Sequence, residues 1–133
     1  MEPTTGQSYP IKSFRDLVVW QKAMRLCEAV YTASAEFPDA ERYGLTSQIR
    51  RAAVSVPSNM AEGYGRNRTK DYLRYLRIAR GSLYELETQL LLAARLHFAD
   101  ADHIGPCGQQ IAECDRMLNA LERAIRDGRK SRD

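Results

Sequence analysis

The sequence predicts an all-α protein, an up-down four-helix bundle, on three observations. Apolar residues recur at spacings of 3 and 4 in separate segments of the 133-residue chain. No segment shows the period-two alternation of a half-buried strand. Gly, Pro and short polar residues fall between the periodic segments, where caps and turns need them. The predicted layout is a flexible lead-in over residues 1–12, a bundle over 13–127 and a flexible polar tail over 128–133.

In the first periodic segment, Ser13 is placed to cap a helix with Asp16 as its capping-box partner. Leu17, Trp20, Met24, Cys27 and Tyr31 form the predicted inward stripe. Pro38 disfavours helix at the preceding residue, so this helix is expected to end near Phe37. Asp39 is the expected cap of the second helix, whose stripe is Leu45, Ile49, Ala52, Val56 and Met60. Pro57 lies inside that stripe and lacks an N–H, so the second helix is expected to kink or break there. Asn59 can bond backbone groups freed by Pro57. Gly63 and Gly65 close the segment, and Arg66, Asn67 and Arg68 make a basic turn.

Thr69 is the expected cap of the third helix, with Asp71 suited to its positive end. Leu76, Ala79, Leu83, Leu86, Leu90, Ala94 and His97 form its predicted inward stripe. Ile78, Leu92 and Leu96 turn away from that stripe, which argues for a second partner and hence a homo-oligomer. Gly81 offers a place for another backbone to approach. Asp102 is one possible cap of the fourth helix, with Pro106 tolerated early in it. Ile104, Cys107, Ile111, Cys114, Leu118, Leu121 and Ile125 then alternate by 3 and 4 without a break, the clearest periodic signal in the chain.

Hydrophobic content of 44% and charged content of 28% describe an ordinary globular chain. The longest apolar run, Leu90 to Ala94, falls far short of the roughly 20 residues of a membrane span. No apolar signal core follows Met1, and three Cys at no metal spacing fit a reduced, cytoplasmic protein. The charge is polarised. Arg42 to Arg80 holds nine of the twenty Lys and Arg residues and two of the seventeen acids, a formal charge of +7 against −4 for the rest. Tyr43, Tyr64, Tyr72 and Tyr75 are interleaved with those cations, a pattern suited to polyanions.

Catalytic and cofactor-binding signatures are absent from the sequence. No Cys-x-x-Cys, His-x-x-x-His or Glu-x-x-His pair occurs, no P-loop and no dinucleotide fingerprint, so no metal ligand, cofactor or catalytic residue is assigned. Cys27, Cys107 and Cys114 read as small buried hydrophobes, and His97 as a helix-end packing residue. Glu62 beside Arg66 and Arg68 reads as an ion pair that orders the turn, with a general base as the opposing reading.

Arg50 and Arg51 have no acid three or four residues away, and Lys70, Arg74 and Arg77 mostly face one another. Repulsion of this kind is relieved by an external anion or by acids of another chain, with a plain solvated face as the opposing reading. The nucleic-acid-binding candidates are therefore Arg50, Arg51, Arg66, Arg68, Lys70, Arg74 and Arg77. Tyr64, Tyr72 and Tyr75 either stack on unpaired bases or pack between helices.

The wording of several segments resembles a known family. These are Phe14-Arg15-Asp16-Leu17-Val18-Val19-Trp20-Gln21-Lys22-Ala23, Glu41-Arg42-Tyr43-Gly44-Leu45, the run from Gln48 through Val56-Pro57-Ser58-Asn59-Met60-Ala61-Glu62-Gly63, and Ala79-Arg80-Gly81-Ser82-Leu83-Tyr84-Glu85-Leu86-Glu87. They are similar to the four-helix-bundle proteins encoded in bacterial 23S rRNA intervening sequences over about residues 14–98; the last helix matches only in pattern. The resemblance implies an all-helical protomer, commonly a homopentamer with a basic central channel. A related branch, the accessory variability determinant of diversity-generating retroelements, binds nucleic acid and a reverse transcriptase. Arg50, Arg51, Arg66 and Arg68 carry over as basic-surface positions, while Asn59, Glu62 and Gly63 read as structural.

The expected function is non-enzymatic, oligomeric binding of RNA or DNA through phosphates, largely independent of sequence because no groove-reading module is present. The alternative is a protein-interaction scaffold whose cations dock an acidic partner such as a nucleic-acid enzyme.

Overall fold

The computed structural model describes residues 11–132, with side chains through residue 128. Among the described residues there are four helices, α1 (Val18–Ser34), α2 (Leu45–Gly65), α3 (Thr69–Arg95) and α4 (Ala101–Arg132), with 3-10 turns at Phe14–Asp16 and Asp39–Glu41. α2 packs on α1 and α3, and α4 packs on the same two helices, closing a four-membered ring with α1 and α3 on a diagonal. Neighbours run antiparallel: Ser55 meets Ser82 between α2 and α3, and Arg80 meets Glu122 between α3 and α4. The up-down bundle is therefore the observed fold. Of the lead-in, residues 1–10 lie outside the described residues, while Ile11 packs against the core and the Lys12 N–H donates to Asp16 Oδ2 at 2.8 Å. At the other end, the α4 backbone continues past Gly128.

The Ser13–Asp16 capping box forms, but on a 3-10 turn and not on α1. Leu17 is extended (φ −70°, ψ 121°) and resets the helical phase, so α1 begins at Val18. Its buried face is Val19, Ala23, Leu26, Val30 and Ala33, which displaces the predicted stripe. Of that stripe only Leu17 is buried, while Met24 and Tyr31 are exposed. Trp20, Met24 and Cys27 line an apolar groove shared with Val54 and Pro57 of α2.

α1 stops at Ser34, before Phe37, which is buried against Phe98 with ring centroids 5.9 Å apart. Asp39 starts a 3-10 turn and does not cap α2; Glu41 Oε1 instead accepts from the Leu45 N–H at 3.0 Å. The predicted stripe of α2 is buried throughout. Pro57 does not split the helix. Its missing N–H would have served the Ala53 carbonyl, and the Cys27 thiol of α1 donates to that oxygen at 3.0 Å. Asn59 serves another group: its Nδ2 donates to Ser55 O at 2.8 Å and Ser55 Oγ at 2.9 Å.

α2 ends at Gly65, as expected, but runs through Gly63, which is a contact point. A Cβ there would lie 2.7 Å from Tyr75 Cβ, so α2 and α3 cross at a distance only glycine allows. Arg68, not Thr69, occupies the N-cap of α3 and makes no side-chain cap bond. Leu73, Leu76, Ala79, Leu83, Leu86, Leu90 and Ala93 are buried, so the stripe ends one residue before the predicted Ala94.

His97 is exposed and closes α3 in the left-handed conformation (φ 58°). Phe98 N–H bonds to Ala93 O and His97 N–H to Ala94 O, the paired bonds of a Schellman cap. The α4 seam is as predicted, with Cys107, Ile111, Cys114, Leu118 and Leu121 buried and Ile104 and Ile125 packed at its ends.

The ends of the bundle differ in charge. Lys12, Arg15, Arg66, Arg68, Lys70 and Arg74 gather with Asp16, Glu62 and Asp71 at the α2–α3 turn end. Glu36, Asp39, Glu41, Asp100 and Asp102 gather with Arg42 and Arg95 at the other.

Candidate nucleic-acid interface

The turn joining α2 to α3 is built on the Gly63 crossing. Tyr64 and Tyr72 meet edge to face beside it, with centroids 5.9 Å apart, and both pack against the core. Helix packing therefore accounts for these two rings. Tyr75 stands at the surface between two cations. The Arg66 guanidinium lies 5.2 Å from its ring centre and that of Arg74 5.3 Å. Arg66 also donates to the Tyr75 hydroxyl at 2.8 Å and pairs with Glu62 at 3.5 Å. Glu62 thus faces Arg66 as an exposed i,i+4 pair, and Tyr75 preorganises two guanidinium groups rather than offering a free face.

Among the described residues, Arg68, Lys70 and Arg74 are exposed and make no ion pair, and they adjoin Arg66 at this turn. Asp71 forms no ion pair with Arg74. Arg51 is likewise exposed and unpaired, but it sits in a groove with Gln48, Ser55 and Glu85. It lies about 22 Å from Arg66 along α2, taking about 1.5 Å of rise per residue. The seven candidates are therefore not one patch.

Arg50 faces away from any such surface. Its Nε donates to Ser34 Oγ at 2.8 Å, its NH2 group to the Tyr31 carbonyl at 3.3 Å, and the guanidinium stacks 4.5 Å from the Tyr31 ring. It closes the C-terminal end of α1, where unpaired carbonyls favour a cation. Arg77 pairs with the buried Glu122 at 3.5 Å. Arg80 binds Glu122 at 3.1 Å and Tyr84 at 3.2 Å, and Tyr84 donates to Asp115 at 3.0 Å. The bonds to Tyr84 and Glu122 raise the Arg80 pKa, so this cation is held charged by its own chain.

Sequence reasoning missed Arg116, Arg123 and Arg126, which line a groove with Arg80, Asn119 and Glu122 between α3 and α4. Their signal was present, since residues 116, 119, 123 and 126 share one helical stripe. It also assigned no metal ligand, whereas Glu36, Asp100 and His103 converge at the acidic end. The hydrogen bond between Asp100 and His103 lowers the pKa of the carboxyl and raises that of the imidazole.

The fold and surface define a class: an antiparallel four-helix bundle with a cationic α2–α3 turn. The chain belongs to the 23S rRNA-intervening sequence protein family, whose profile matches residues 15–120. It is similar to a protein with unknown function from the S23 ribosomal protein family of Bacteroides thetaiotaomicron VPI-5482, solved at 1.70 Å. The TM-score is 0.71 at 19% identity, over 79% of this chain and 98% of that one. At that identity the likeness is one of fold. No curated protein matches the chain. Among the described residues, no helix is long and apolar enough to cross a membrane.

Proposed function

We propose that the protein is a non-enzymatic, cytoplasmic homo-oligomer that binds nucleic acid, RNA before DNA, through phosphate contacts at the α2–α3 turn. The observation that carries this reading is the cluster of Arg68, Lys70 and Arg74, exposed and without ion pairs, next to an Arg66 already oriented on Tyr75. Three uncompensated cations within seven residues repel one another unless an anion joins them. Arg51 is a secondary contact, while Arg50, Arg77, Tyr64 and Tyr72 have structural employment and are not part of the interface.

Support for assembly comes from the outer face of α3. Ile78, Leu92 and Leu96 are exposed, and at 100° per residue they share one strip with Gly81, beside which nothing approaches within 4 Å. Arg74 falls at the N-terminal end of that strip, so copies joined along it in parallel would bring their basic turns together. Leu92→Glu is expected to shift sedimentation toward monomer.

The test of binding is the salt dependence of affinity for a short RNA. The Arg68→Ala/Lys70→Ala/Arg74→Ala variant is expected to weaken binding and to lower the slope of log K against log salt by about 2–3, taking roughly 0.7–0.9 per phosphate contact. Unchanged affinity and slope in a folded triple variant exclude this surface.

A further inference from the structure

We propose that Glu36, Asp100 and His103 form a binding site for one divalent transition-metal ion of the zinc or cobalt type. The residues come from two distant parts of the chain, Glu36 from the turn after α1 and Asp100 and His103 from the entry to α4. The i,i+3 spacing of Asp100 and His103 puts both on one side of the first α4 turn, and the bundle delivers Glu36 to the same point.

His103 Nδ1 lies 2.7 Å from Asp100 Oδ1 and 2.9 Å from Glu36 Oε2. One ligand atom from each residue falls within 4.8 Å of the others. Two carboxylate oxygens thus converge on one ring nitrogen. The hydrogen bond runs between that nitrogen and Asp100, while Glu36 makes an ion-pair contact without one. A nitrogen carries at most one proton, so a single N–H cannot satisfy both acceptors well. An ion among the three atoms would serve all of them. Adjacent ligands of a metal bound at about 2.1 Å are about 3 Å apart in octahedral geometry, so small side-chain adjustments suffice.

Donor type selects the ion. One imidazole and two carboxylates suit borderline first-row ions, whereas magnesium and calcium prefer oxygen alone. The side chains are 41%, 44% and 62% exposed for His103, Glu36 and Asp100, which leaves the remaining positions to water and makes the ion exchangeable. The positive end of α4 opposes a cation there; Asp100, just before the helix, whose Oδ1 also accepts the His103 backbone N–H at 3.1 Å, and Asp102 in the first turn offset it. Bound metal would clamp the end of α1 to the start of α4, beside the Phe37–Phe98 contact.

Cobalt(II) titration of the purified protein, followed by visible absorption and by thermal unfolding, tests the site. One equivalent is expected to bind and to raise Tm, with no thiolate charge-transfer band. His103→Gln and Glu36→Gln, each shown to be folded by circular dichroism, are expected to weaken binding at least tenfold. His97→Asn is expected to leave it unchanged, and equal magnesium or calcium to give no Tm shift. Equal affinity in wild type and His103→Gln overturns the site. So does a thiolate band, which would move the ion to Cys27, Cys107 or Cys114.

Discussion

The thiol of Cys27 on α1 donates a hydrogen bond of 3.0 Å to the carbonyl of Ala53 on α2, the oxygen that Pro57 leaves without its helical partner. A proline four residues on removes that donor, and a buried carbonyl without one costs about 1–3 kcal/mol. A side chain from the neighbouring helix supplies it, which is how α2 keeps a proline in its interior as one helix.

The two residues are therefore coupled. Cys27→Ala is expected to cost about 1–2 kcal/mol, combining lost packing with an unsatisfied carbonyl. In a Pro57→Ala background the backbone N–H returns to Ala53, and the same change should cost less by about 0.5–1 kcal/mol. A double-mutant cycle in urea measures the difference. Strict additivity would mean that the thiol contact carries no energy.

Two glycines invite opposite outcomes. At Gly63 an added Cβ meets Tyr75 Cβ at 2.7 Å and the Tyr72 carbonyl at 3.3 Å, so Gly63→Ala forces α2 and α3 apart. The expected loss is about 1–3 kcal/mol, an overpacking cost that exceeds the helix-propensity gain. Gly81 has open space, and Gly81→Ala should stabilise the isolated protomer by about 0.5–1 kcal/mol. Urea midpoints of the two variants check the signs.

Arg80 and Glu122 join α3 to α4 with the acid almost fully buried, side-chain exposures being 26% and 5%. Glu122→Gln leaves Arg77 without its carboxylate and Arg80 with Asp115 alone, at 3.5 Å. The expected cost is about 2–4 kcal/mol, below the value for a fully buried pair because Arg80 is partly solvated. Arg80→Met with Glu122→Met should recover most of it, because the lone charge is removed. A thermal melt that ranks the double variant below Glu122→Gln would refute this account.

Burial pushes the Cys27 thiol up to about 11 and the Cys114 thiol up to about 12, from an ordinary value of 9.0. The folded pKa exceeds the unfolded one, so this contribution is complete below pH 9 and is lost as pH rises toward 11 and 12. Each thiol adds a decline of about 1.4 kcal/mol per pH unit within its window. Cys114→Ala should flatten the profile above that pH relative to wild type. Identical slopes from stability curves at pH 8 to 10.5 would show that the thiol ionises as easily in the fold as outside it.

Legibility followed the range of the forces involved. The α4 seam and the α2 stripe were readable because nothing interrupts their period, and burial follows it residue by residue. The α1 stripe was misread because a single extended residue, Leu17, shifts the phase. The surface was only half readable. A search for acids three or four residues away cannot see Glu122, which meets Arg80 across 42 positions, nor the Ser34 hydroxyl that holds Arg50. Pairing is tertiary, and among the candidates it leaves Arg51 and the cluster of Arg68, Lys70 and Arg74, which the sequence alone could not separate from the others. Glu36, Asp100 and His103 escaped for the same reason, since only the closed ring of helices makes them neighbours.

Among the described residues, the unequal ends of the bundle set up an electric moment along its long axis. Fields of this kind reach about 8–10 Å into physiological salt, further than any side chain extends. If the ligand is the polyanion proposed above, this field would act on it before contact and turn the molecule turn-first, so that the collision is oriented by its prelude.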